Sequence, residues 1–392
     1  MRIGIFGGTF NPPHIGHERS VNAAVHQLRL DLLIVIPAGL PPHKNLPDGT
    51  PAADKRFHMA CLAFMNTRNV IVSDMEIMKT GPNYTIDTVT ELRSVYPDDE
   101  LFLLMGTDMY LTLETWRNSE ALLGQVSPAV FSRSSDDLLK IAGQAQALGE
   151  RYGVNTETVV NKVIDISSSR LRDMLPRREG FGYITDTIYS YIIRNRLYGA
   201  KPDWDWMRAR SYSMLKPSRI PHVAGCEAEA LRLAERWGVD PDEAREAAIL
   251  HDITKKLTLE ENHEILAGFG ITAGAPENAA EKLLHSQTGA LLAKAEFGTS
   301  ESIAQAILWH TTGKAEMSEL EKIIYIADYI EPNRDFDGVG DLRKLAFENL
   351  NDAMIMGLEM SVNDMENRGI NPNRATFEAL YDLTGKQASP VL

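Results

Sequence analysis

The chain has 392 residues, of which 44% are apolar and 24% charged, a globular composition that excludes disordered and collagen-like proteins. The formal net charge is −14; residues 1–200 carry 20 Lys and Arg against 22 Asp and Glu, and residues 201–392 carry 20 against 32. Because nucleic-acid affinity depends on Lys and Arg that neutralise phosphates, the acidic second half predicts no nucleic-acid partner.

The N-terminus and the cysteines favour a cytoplasmic protein. Cys61 and Cys226 form no CxxC pair, so we expect two buried, reduced side chains and no disulfide. Met1-Arg2 leads directly into a strand-like run, which is unlike a signal peptide. No apolar run approaches the roughly 20 residues that span a bilayer, so no membrane partner is expected. The oligomeric state, a homo-oligomer included, is left open.

Residues 1–200 alternate short apolar runs with amphipathic stretches. Such alternation predicts a doubly wound, Rossmann-like α/β domain with ligands at the carboxyl ends of its strands. The predicted strands are Arg2–Phe6, Leu32–Ile36, Val70–Ser73, Leu101–Met105, Ala129–Phe131 and Lys162–Asp165. The predicted helices are Gly16–Leu28, Ala53–Asn66, Tyr84–Val95, Asp136–Tyr152 and Asp186–Leu197.

Strand signals stop after a linker, expected at residues 201–206. Residues 207–392 are predicted to form an all-α bundle because apolar residues recur there at helical spacing. The length of the chain favours the same division into two domains. The predicted helices are Cys226–Trp237, Pro241–Asp252, Thr258–Phe269, Pro276–Phe297, Ser302–His310, Ser318–Ile330 and Leu342–Asn367.

The first candidate site follows the first predicted strand, in the sequence GGTFNPPHIGH. Gly7 and Gly8 lack side chains, so the backbone from Gly7 through Thr9 and Phe10 can approach a phosphate. His14 and His17 share one face of the next helix, with Gly16 expected to leave room for a flat nucleotide between them. Imidazoles at a helix N-terminus suit a phosphoryl-transfer transition state.

A second phosphate element is expected at Ile166-Ser167-Ser168-Ser169-Arg170-Leu171-Arg172. Ser168 and Ser169 lie where serines cap a helix and leave amides for phosphate oxygens, and Arg172 adds a fixed charge. Alone this is a common cap pattern. Together with the first element it predicts nucleotide chemistry.

These motifs resemble the HxGH nucleotidyltransferases, and residues 1–200 resemble bacterial nicotinate-nucleotide adenylyltransferases. Further matching segments are PPHK at 41–44, YTIDT at 84–88, GTD at 106–108 and WR at 116–117. The resemblance implies transfer of AMP from ATP, with Mg²⁺, to nicotinate mononucleotide. It implies phosphate contacts from His14, His17, His43, Lys44 and Arg172, a ribose contact from Asp108, and pyridine contacts from Tyr84, Thr85 and Trp116. Pantetheine-phosphate or another adenylyltransferase is the alternative, disfavoured by the length of this half and by the Tyr84–Thr88 and Trp116 segments.

The second candidate site consists of His and Asp residues that each emerge from an apolar helical run. Burying such groups without partners is costly, which predicts that they bind metal. His26, His58 and His263 lie among polar residues and are expected at the surface. The predicted ligands are His222, His251, Asp252, His285, His310 and Asp328.

The order H…HD…H…H…D resembles the HD superfamily of phosphohydrolases, and residues 207–392 resemble its bacterial members that cleave diadenosine tetraphosphate to two ADP. LEKIIYIADYIEPNR at 320–334 is the most diagnostic segment. The resemblance implies two divalent metals, with iron preferred, bridged by Asp252 and activating water for attack on phosphorus. Lys255 and Arg334 would neutralise the polyphosphate. Another nucleotide phosphohydrolase, acting for example on deoxynucleoside triphosphates or guanosine polyphosphates, or a regulatory nucleotide-binding module is the alternative.

Overall fold

The computed structural model describes residues 1–40, 46–132, 134–161, 164–271 and 283–385. These form two compact units, Met1–Lys201 and Pro202–Leu392. Within the described ranges, no helix has both the length and the apolar character required to cross a membrane. His43 and Lys44 lie outside the described residues.

The first unit is built on a parallel sheet. In the described part of the chain it has six strands in the order β3-β2-β1-β4-β5-β6, so the order reverses between β1 and β4. In open sheets of this kind ligands bind at such a switch point, beyond the carboxyl ends of the strands. The strands are β1 (Arg2–Gly8), β2 (Leu32–Pro37), β3 (Val70–Val72), β4 (Glu100–Gly106), β5 (Ser127–Ser132) and β6 (Glu157–Val160).

Helices connect the strands and cover the sheet. Ile5, Leu103 and Val130 on the central strands are buried in the same core as Val89 and Leu122 of the flanking helices. The helices are α1 (Ile15–Gln27), α2 (Ala53–Phe64), α3 (Thr85–Val95), α4 (Thr107–Leu111), α5 (Ser119–Leu123), α6 (Ser135–Tyr152), α7 (Ser168–Met174) and α8 (Asp186–Arg194). The predicted α/β class is confirmed.

The sixth strand is the main difference from the predicted elements. It was expected at Lys162–Asp165, but β6 is Glu157–Val160, which pairs with β5 through Ala129↔Glu157 to Ser132↔Val160. Residues 162 and 163 lie outside the described residues, and Ile164 and Asp165 are not in a strand. An edge strand has only one neighbour and buries little, so β6, in which only Val159 is buried, has a weak apolar signal.

The second unit is all helical in its described residues, as predicted. Its core contains Leu233, Ala247, Ile307, Ile323 and Ile326, all fully buried. The helices are α9 (Trp204–Ser213), α10 (Ile220–Trp237), α11 (Pro241–Leu250), α12 (Leu259–Gly268), α13 (Leu284–Phe297), α14 (Glu301–Trp309), α15 (Glu319–Ile330), α16 (Val339–Glu348), α17 (Leu350–Asn367) and α18 (Arg374–Thr384).

Several helix boundaries differ from the predicted ones. The helix expected at Leu342–Asn367 is two helices, because Asn349 is extended and its side chain accepts hydrogen bonds from the first amides of α17. α11 ends at Leu250, so Lys255 lies in a run of turns and not on a helix. α9 begins within the expected linker, and of the helix expected at Pro276–Phe297 only residues 283–297 are described.

Candidate functional sites

The loop after β1 forms one wall of a cleft of about 720 Å³ at the carboxyl ends of β1, β4 and β5. A Cβ atom at Gly7 would meet no other atom within 4 Å, so the backbone there is open to the cleft. The ring of Phe10 is buried and contacts the rings of Phe6, Phe64 and His17. This packing anchors the loop from Gly7 to Phe10 at its end.

His14 and His17 cap the N-terminus of α1 with their own side chains. His14 Nδ1 accepts from the Gly16 amide at 3.2 Å, and His17 Nδ1 accepts from the His14 amide at 3.2 Å. In the neutral form each ring therefore carries its hydrogen on Nε2. The two ring centroids are 3.9 Å apart and both residues line the cleft.

Gly16 lines the cleft and also makes room for the His14 ring. A Cβ atom at this position would lie 2.9 Å from two atoms of the His14 imidazole. Glycine therefore permits the His14 ring to fold back over the first turn of α1 and cap it. The expectation that Gly16 also leaves room for a nucleotide stays a prediction.

α7 faces this loop from the opposite side of the cleft. Arg172 Nη1 donates to the Asn11 carbonyl at 2.6 Å and Nη2 donates to Ser169 Oγ at 3.1 Å. Ser168 Oγ donates to the Pro12 carbonyl at 2.8 Å. Ser167, not Ser168 or Ser169, caps α7 by accepting from the Arg170 amide. The two sequence elements expected to act together are therefore joined by direct hydrogen bonds.

Four predicted substrate residues do not line this cleft. Tyr84 lines a separate depression of about 440 Å³, with the Arg117 guanidinium 4.3 Å from the centre of its ring. Thr85 begins α3 and Trp116 packs partly buried against the core of the unit. Asp108 is exposed at the start of α4, two residues after Gly106, which does line the cleft.

Arg56 is a buried residue that the sequence reasoning missed. Its side chain is 1% exposed, and among the described residues it donates to four backbone carbonyls: Thr9 at 2.9 Å, Ala38 at 2.7 Å, Gly39 at 3.0 Å and Pro51 at 3.3 Å. Burial lowers the pKa of this guanidinium. Arg56 thus ties together the loops after β1 and β2. In the sequence, the burial of Arg56 is indicated only by its place on the same face of α2 as Met59 and Phe64.

The second site is a cluster of buried imidazoles around Asp252. Asp252 Oδ1 lies 3.4 Å from His285 Nε2 and 3.7 Å from His310 Nε2. Its other oxygen, Oδ2, lies 3.4 Å from His251 Nε2 and 3.8 Å from His222 Nε2. One carboxylate therefore faces two pairs of histidines, one pair through each oxygen, which is the arrangement expected of a ligand shared by two cations.

Asp328, the sixth predicted ligand, completes the cluster together with the groups that hydrogen-bond the far side of the histidine rings. Asp328 Oδ1 lies 3.0 Å from His222 Nε2. His222 Nδ1 contacts the buried carboxylate of Glu331 at 3.1 Å, and Nδ1 of His251 and of His310 each donate to a backbone carbonyl at 2.7 Å. Such bonds orient the rings and leave Nε2 as the ligand atom. Glu331 was not predicted, because only the fold brings it to His222.

Three partly exposed cations contact these ligands. Arg219 Nε donates to Asp252 Oδ2 at 2.6 Å, and Arg334 Nη2 donates to Asp328 Oδ1 at 2.6 Å. Lys255 Nζ lies 2.9 Å from His285 Nε2. Lys255 and Arg334 were predicted to bind polyphosphate. Arg219 was missed, although it lies only three residues before His222.

The cluster fits divalent metal ions. His251 Nε2 and Asp252 Oδ1 are buried and have no hydrogen-bond partner among the described residues, as expected of atoms reserved for a metal. Burial opposes ionisation of Asp252 and Asp328, yet neighbouring His251 and His222 hold the pKa of these carboxyls well below their usual range. Burial also lowers the pKa of His310, whereas at His251 the attraction of Asp252 outweighs burial and raises the pKa, so a metal there would displace a proton. Ionised carboxylates and neutral imidazoles are the forms that bind metals.

Of the three histidines expected at the surface, two are exposed and one is only partly so. His26 and His58 are exposed, and His58 stacks on Tyr191 at 4.6 Å. His263 is half-buried on α12. Of the two cysteines expected to be buried, Cys226 is, whereas Cys61 is only half-buried because it lies near the edge of the apolar face of α2.

Residues 5–174 match a family model described as cytidylyltransferase-like, and residues 219–333 match one described as an HD domain. A crystal structure from Clostridium acetobutylicum, described as a predicted HD superfamily hydrolase involved in NAD metabolism, is also similar. It is 38% identical and covers 48% of this chain and 100% of its own, with a TM-score of 0.46.

Two curated relatives are similar over different lengths. A probable nicotinate-nucleotide adenylyltransferase of Carboxydothermus hydrogenoformans is 36% identical over 198 residues, which is 50% of this chain and 98% of the relative. A probable nicotinate-nucleotide adenylyltransferase/Ap4A hydrolase of Mycoplasma genitalium is 29% identical over 368 residues, which is 92% of this chain and 97% of the relative. The first half of the chain therefore belongs to the nicotinate-nucleotide adenylyltransferase family, and an HD domain follows it in the same polypeptide.

Proposed function

We propose that the chain is a bifunctional, cytoplasmic enzyme. One site transfers AMP from ATP to nicotinate mononucleotide in NAD biosynthesis, and the other hydrolyses diadenosine tetraphosphate to two ADP. Residues 1–200 form the transferase, 201–206 the linker and 207–392 the hydrolase. The observation that carries the proposal is that one chain holds two separate phosphate-chemistry arrangements, the His14–His17 helix cap and the cluster around Asp252.

Transfer needs no covalent intermediate. The phosphate of nicotinate mononucleotide is already charged at neutral pH, so the protein has to position it in line with the α-phosphate of ATP and stabilise the developing charge. His14 and His17 donate through Nε2, and Arg172 supplies a fixed charge from α7. The backbone of Gly7 and Gly8 approaches the nucleotide. His43, Lys44, Thr9, Phe10, Ser168 and Ser169 are the further proposed contacts, and ATP enters with Mg²⁺.

The nicotinate end is proposed to bind near Tyr84, Thr85 and Trp116, with Asp108 on a ribose. The Arg117 guanidinium over the Tyr84 ring supports an acidic substrate, nicotinate mononucleotide. It adds positive charge to the region where the pyridine carboxylate would lie. An amide in the same place would lack that attraction. This contact supports nicotinate mononucleotide over its amide form.

Hydrolysis is proposed to use two divalent metals, which we take to be iron, held by the four histidines with Asp252 and Asp328. Bound there, they would lower the pKa of water and neutralise charge on phosphate. Arg219, Lys255 and Arg334 are partly exposed and contact the ligands, so they are placed to bind a polyphosphate at this site. Glu331 holds the His222 ring in place.

The test uses the purified full-length chain. ATP is supplied with nicotinate mononucleotide, its amide form or phosphopantetheine, and diadenosine tetraphosphate is supplied separately; products are resolved by chromatography and bound metals are measured. We expect nicotinate adenine dinucleotide with pyrophosphate in the first reaction, ADP alone in the second, and bound iron. A product only from phosphopantetheine, or AMP with ATP from the tetraphosphate, would overturn the corresponding half.

A metal-free preparation would count against hydrolysis. If protein produced with iron present held almost no metal and cleaved none of the tetraphosphate, the second unit would be a nucleotide-binding module without catalysis. The transferase half would be unaffected by that result, because its chemistry does not use this cluster.

A further inference from the structure

Cys226 lies on the metal side of His222. It follows His222 by one turn of α10 and is 1% exposed. Its Sγ atom is 3.5 Å from His222 Nε2 and 3.9 Å from Nδ1. The nearer nitrogen is the one that lies 3.0 Å from Asp328 Oδ1. The sulfur therefore points toward the same space as the donor atoms of the predicted ligands.

Four donors converge at this end of the cluster. One atom from each of His222, Cys226, His251 and Asp328 lies within 4.8 Å of every other. Independently, His251 Nε2 is fully buried and has no hydrogen-bond partner among the residues described. His251 Nδ1 donates to the Ala248 carbonyl, so in the neutral ring Nε2 presents a lone pair to this space. A buried lone pair beside carboxylates and a second imidazole is suited to binding a cation.

We propose that Cys226 is an additional metal ligand at the HD site. Its sulfur coordinates the ion held by His222, His251 and Asp328, while the second ion lies toward His285 and His310. This inference rests on the proposed metal site. The order of motifs contains no cysteine, so the ligand is recognised only from the distances. The thiol proton leaves to solvent when the sulfur coordinates.

A sulfur ligand changes which metal the site prefers. Thiolates are soft ligands that favour Fe²⁺, Co²⁺ and Zn²⁺, whereas Mg²⁺ and Mn²⁺ prefer oxygen. A site of two imidazoles, one carboxylate and one thiolate is therefore expected to select among divalent ions at this position more strongly than imidazoles and carboxylates alone would. The other position, with two histidines and the shared carboxylate, has no sulfur among the described residues.

The competing explanation is that Cys226 is only a small apolar residue that fills space. That explanation accounts for its burial among core residues, but it does not require the sulfur to lie within 3.5 Å of the His222 nitrogen that faces Asp328. The two explanations differ in a spectroscopic property. A sulfur bound to Co²⁺ gives an intense charge-transfer absorption in the near ultraviolet, and a thiol that only packs nearby gives none.

The experiment loads the full-length chain, stripped by chelation, with Co²⁺ alone and records absorption and bound cobalt. The chain has two cysteines, so Cys61→Ser is the matched control for Cys226→Ser and Cys226→Val. We expect the band in the wild type and in Cys61→Ser, and its loss in both Cys226 variants. Circular dichroism verifies folding, and cobalt content shows how much metal each variant keeps.

The wild-type and Cys61→Ser spectra show whether Cys226 binds the metal even if the Cys226 variants fold poorly. Bound cobalt without the band in the wild type, or a band that persists in Cys226→Val, would overturn the proposal. Tetraphosphate cleavage by the iron-loaded wild type is assayed in parallel. Cleavage without the band would remove Cys226 as a ligand and leave the proposed function intact, whereas no bound metal at all would remove both.

Discussion

At the scale of single residues, the histidines of α1 cap their own helix and are also the proposed phosphate donors. Helix caps are usually Ser, Thr, Asp or Asn, and a capping box is usually closed by Glu or Gln. Here His14 and His17 fill both positions through Nδ1. The backbone thereby fixes which ring nitrogen carries the hydrogen, so that in the neutral form each ring has its N–H at Nε2.

His17→Ala should lower adenylyl transfer by about 100-fold or more, because it removes a donor to the developing phosphate charge. The protein should remain folded, since one cap bond is worth only about 1 kcal/mol. The matched control is His26→Ala, an exposed histidine in the last turn of the same helix, which should keep full turnover. Steady-state kinetics with circular dichroism checks both, and an unimpaired His17→Ala would remove the proposed role.

Arg56→Met should destabilise the loops after β1 and β2. The change leaves four backbone carbonyls without their donor, and hydrogen bonds to charged groups contribute about 1.5–3 kcal/mol each, so we expect a loss of at least about 3 kcal/mol. Hydrogen exchange of peptides from β1 and β2 in the full-length chain measures it. Arg68→Met, at an exposed arginine of the same unit, is the control. Equal hydrogen exchange in the two variants would show that Arg56 does not hold the loops after β1 and β2 together.

At the scale of elements, α10 and α15 approach closely beside the metal cluster because of one glycine. A Cβ atom at Gly225 would lie 2.4 Å from Glu331 Oε2 and 3.2 Å from the Pro332 ring. Glu331 in turn contacts His222 Nδ1 at 3.1 Å. The glycine therefore lets a carboxylate reach the ring that it orients.

Gly225→Ala should displace Glu331 and weaken metal binding. Loss of an outer partner of a ligand typically costs about 10- to 100-fold in metal affinity, and tetraphosphate cleavage should fall accordingly. Gly340→Ala in α16 is the control, because a Cβ atom there meets nothing within 4 Å. Metal titration of both full-length variants checks the expectation. Wild-type affinity in Gly225→Ala would show that Glu331 does not position His222.

Elements with strong apolar patterns were predicted from the sequence, and those that depend on tertiary packing were not. Buried β1, β2, β4 and β5 were found within a few residues because their runs are continuously apolar. The edge strand β6 was misplaced. The start of α9 lies inside the predicted linker because the buried face of this helix is small and gives a weak periodic pattern. Only Trp206, Met207 and Ser211 are buried. The break at Asn349 contains neither glycine nor proline, so periodicity runs through it.

In the candidate sites, too, residues marked by an apolar pattern were predicted, and residues that depend on tertiary packing were not. The six metal-ligand candidates were recognisable because each polar side chain interrupts an apolar helix, and the structure brings all six together. The sequence does not single out Arg219 or Glu331, and it predicts only burial for Cys226, since such residues on a helix carry no further signal without their neighbours. The contact of His14 with its own helix likewise depends on a ring orientation that spacing cannot specify.

At the scale of the whole molecule, each of the two sites is built from residues of one compact unit. The cleft of the first unit is lined by residues between Phe6 and Arg172, and the metal cluster by residues between Arg219 and Arg334. The units divide at Lys201 and Pro202. Domains joined by a short connection generally keep their own sites, with small coupling between them. We therefore expect the two activities to be separable by mutation.

The most direct test is to assay both reactions in the same preparations of three full-length proteins: wild type, His14→Ala, and His251→Ala combined with Asp252→Ala. The double variant should lose tetraphosphate cleavage and keep adenylyl transfer within about threefold of wild type, an allowance of roughly 0.7 kcal/mol. His14→Ala should lose transfer and keep cleavage. If either variant, still folded by circular dichroism, lost both activities, the chain would have one shared site and the account of two independent ones would be wrong.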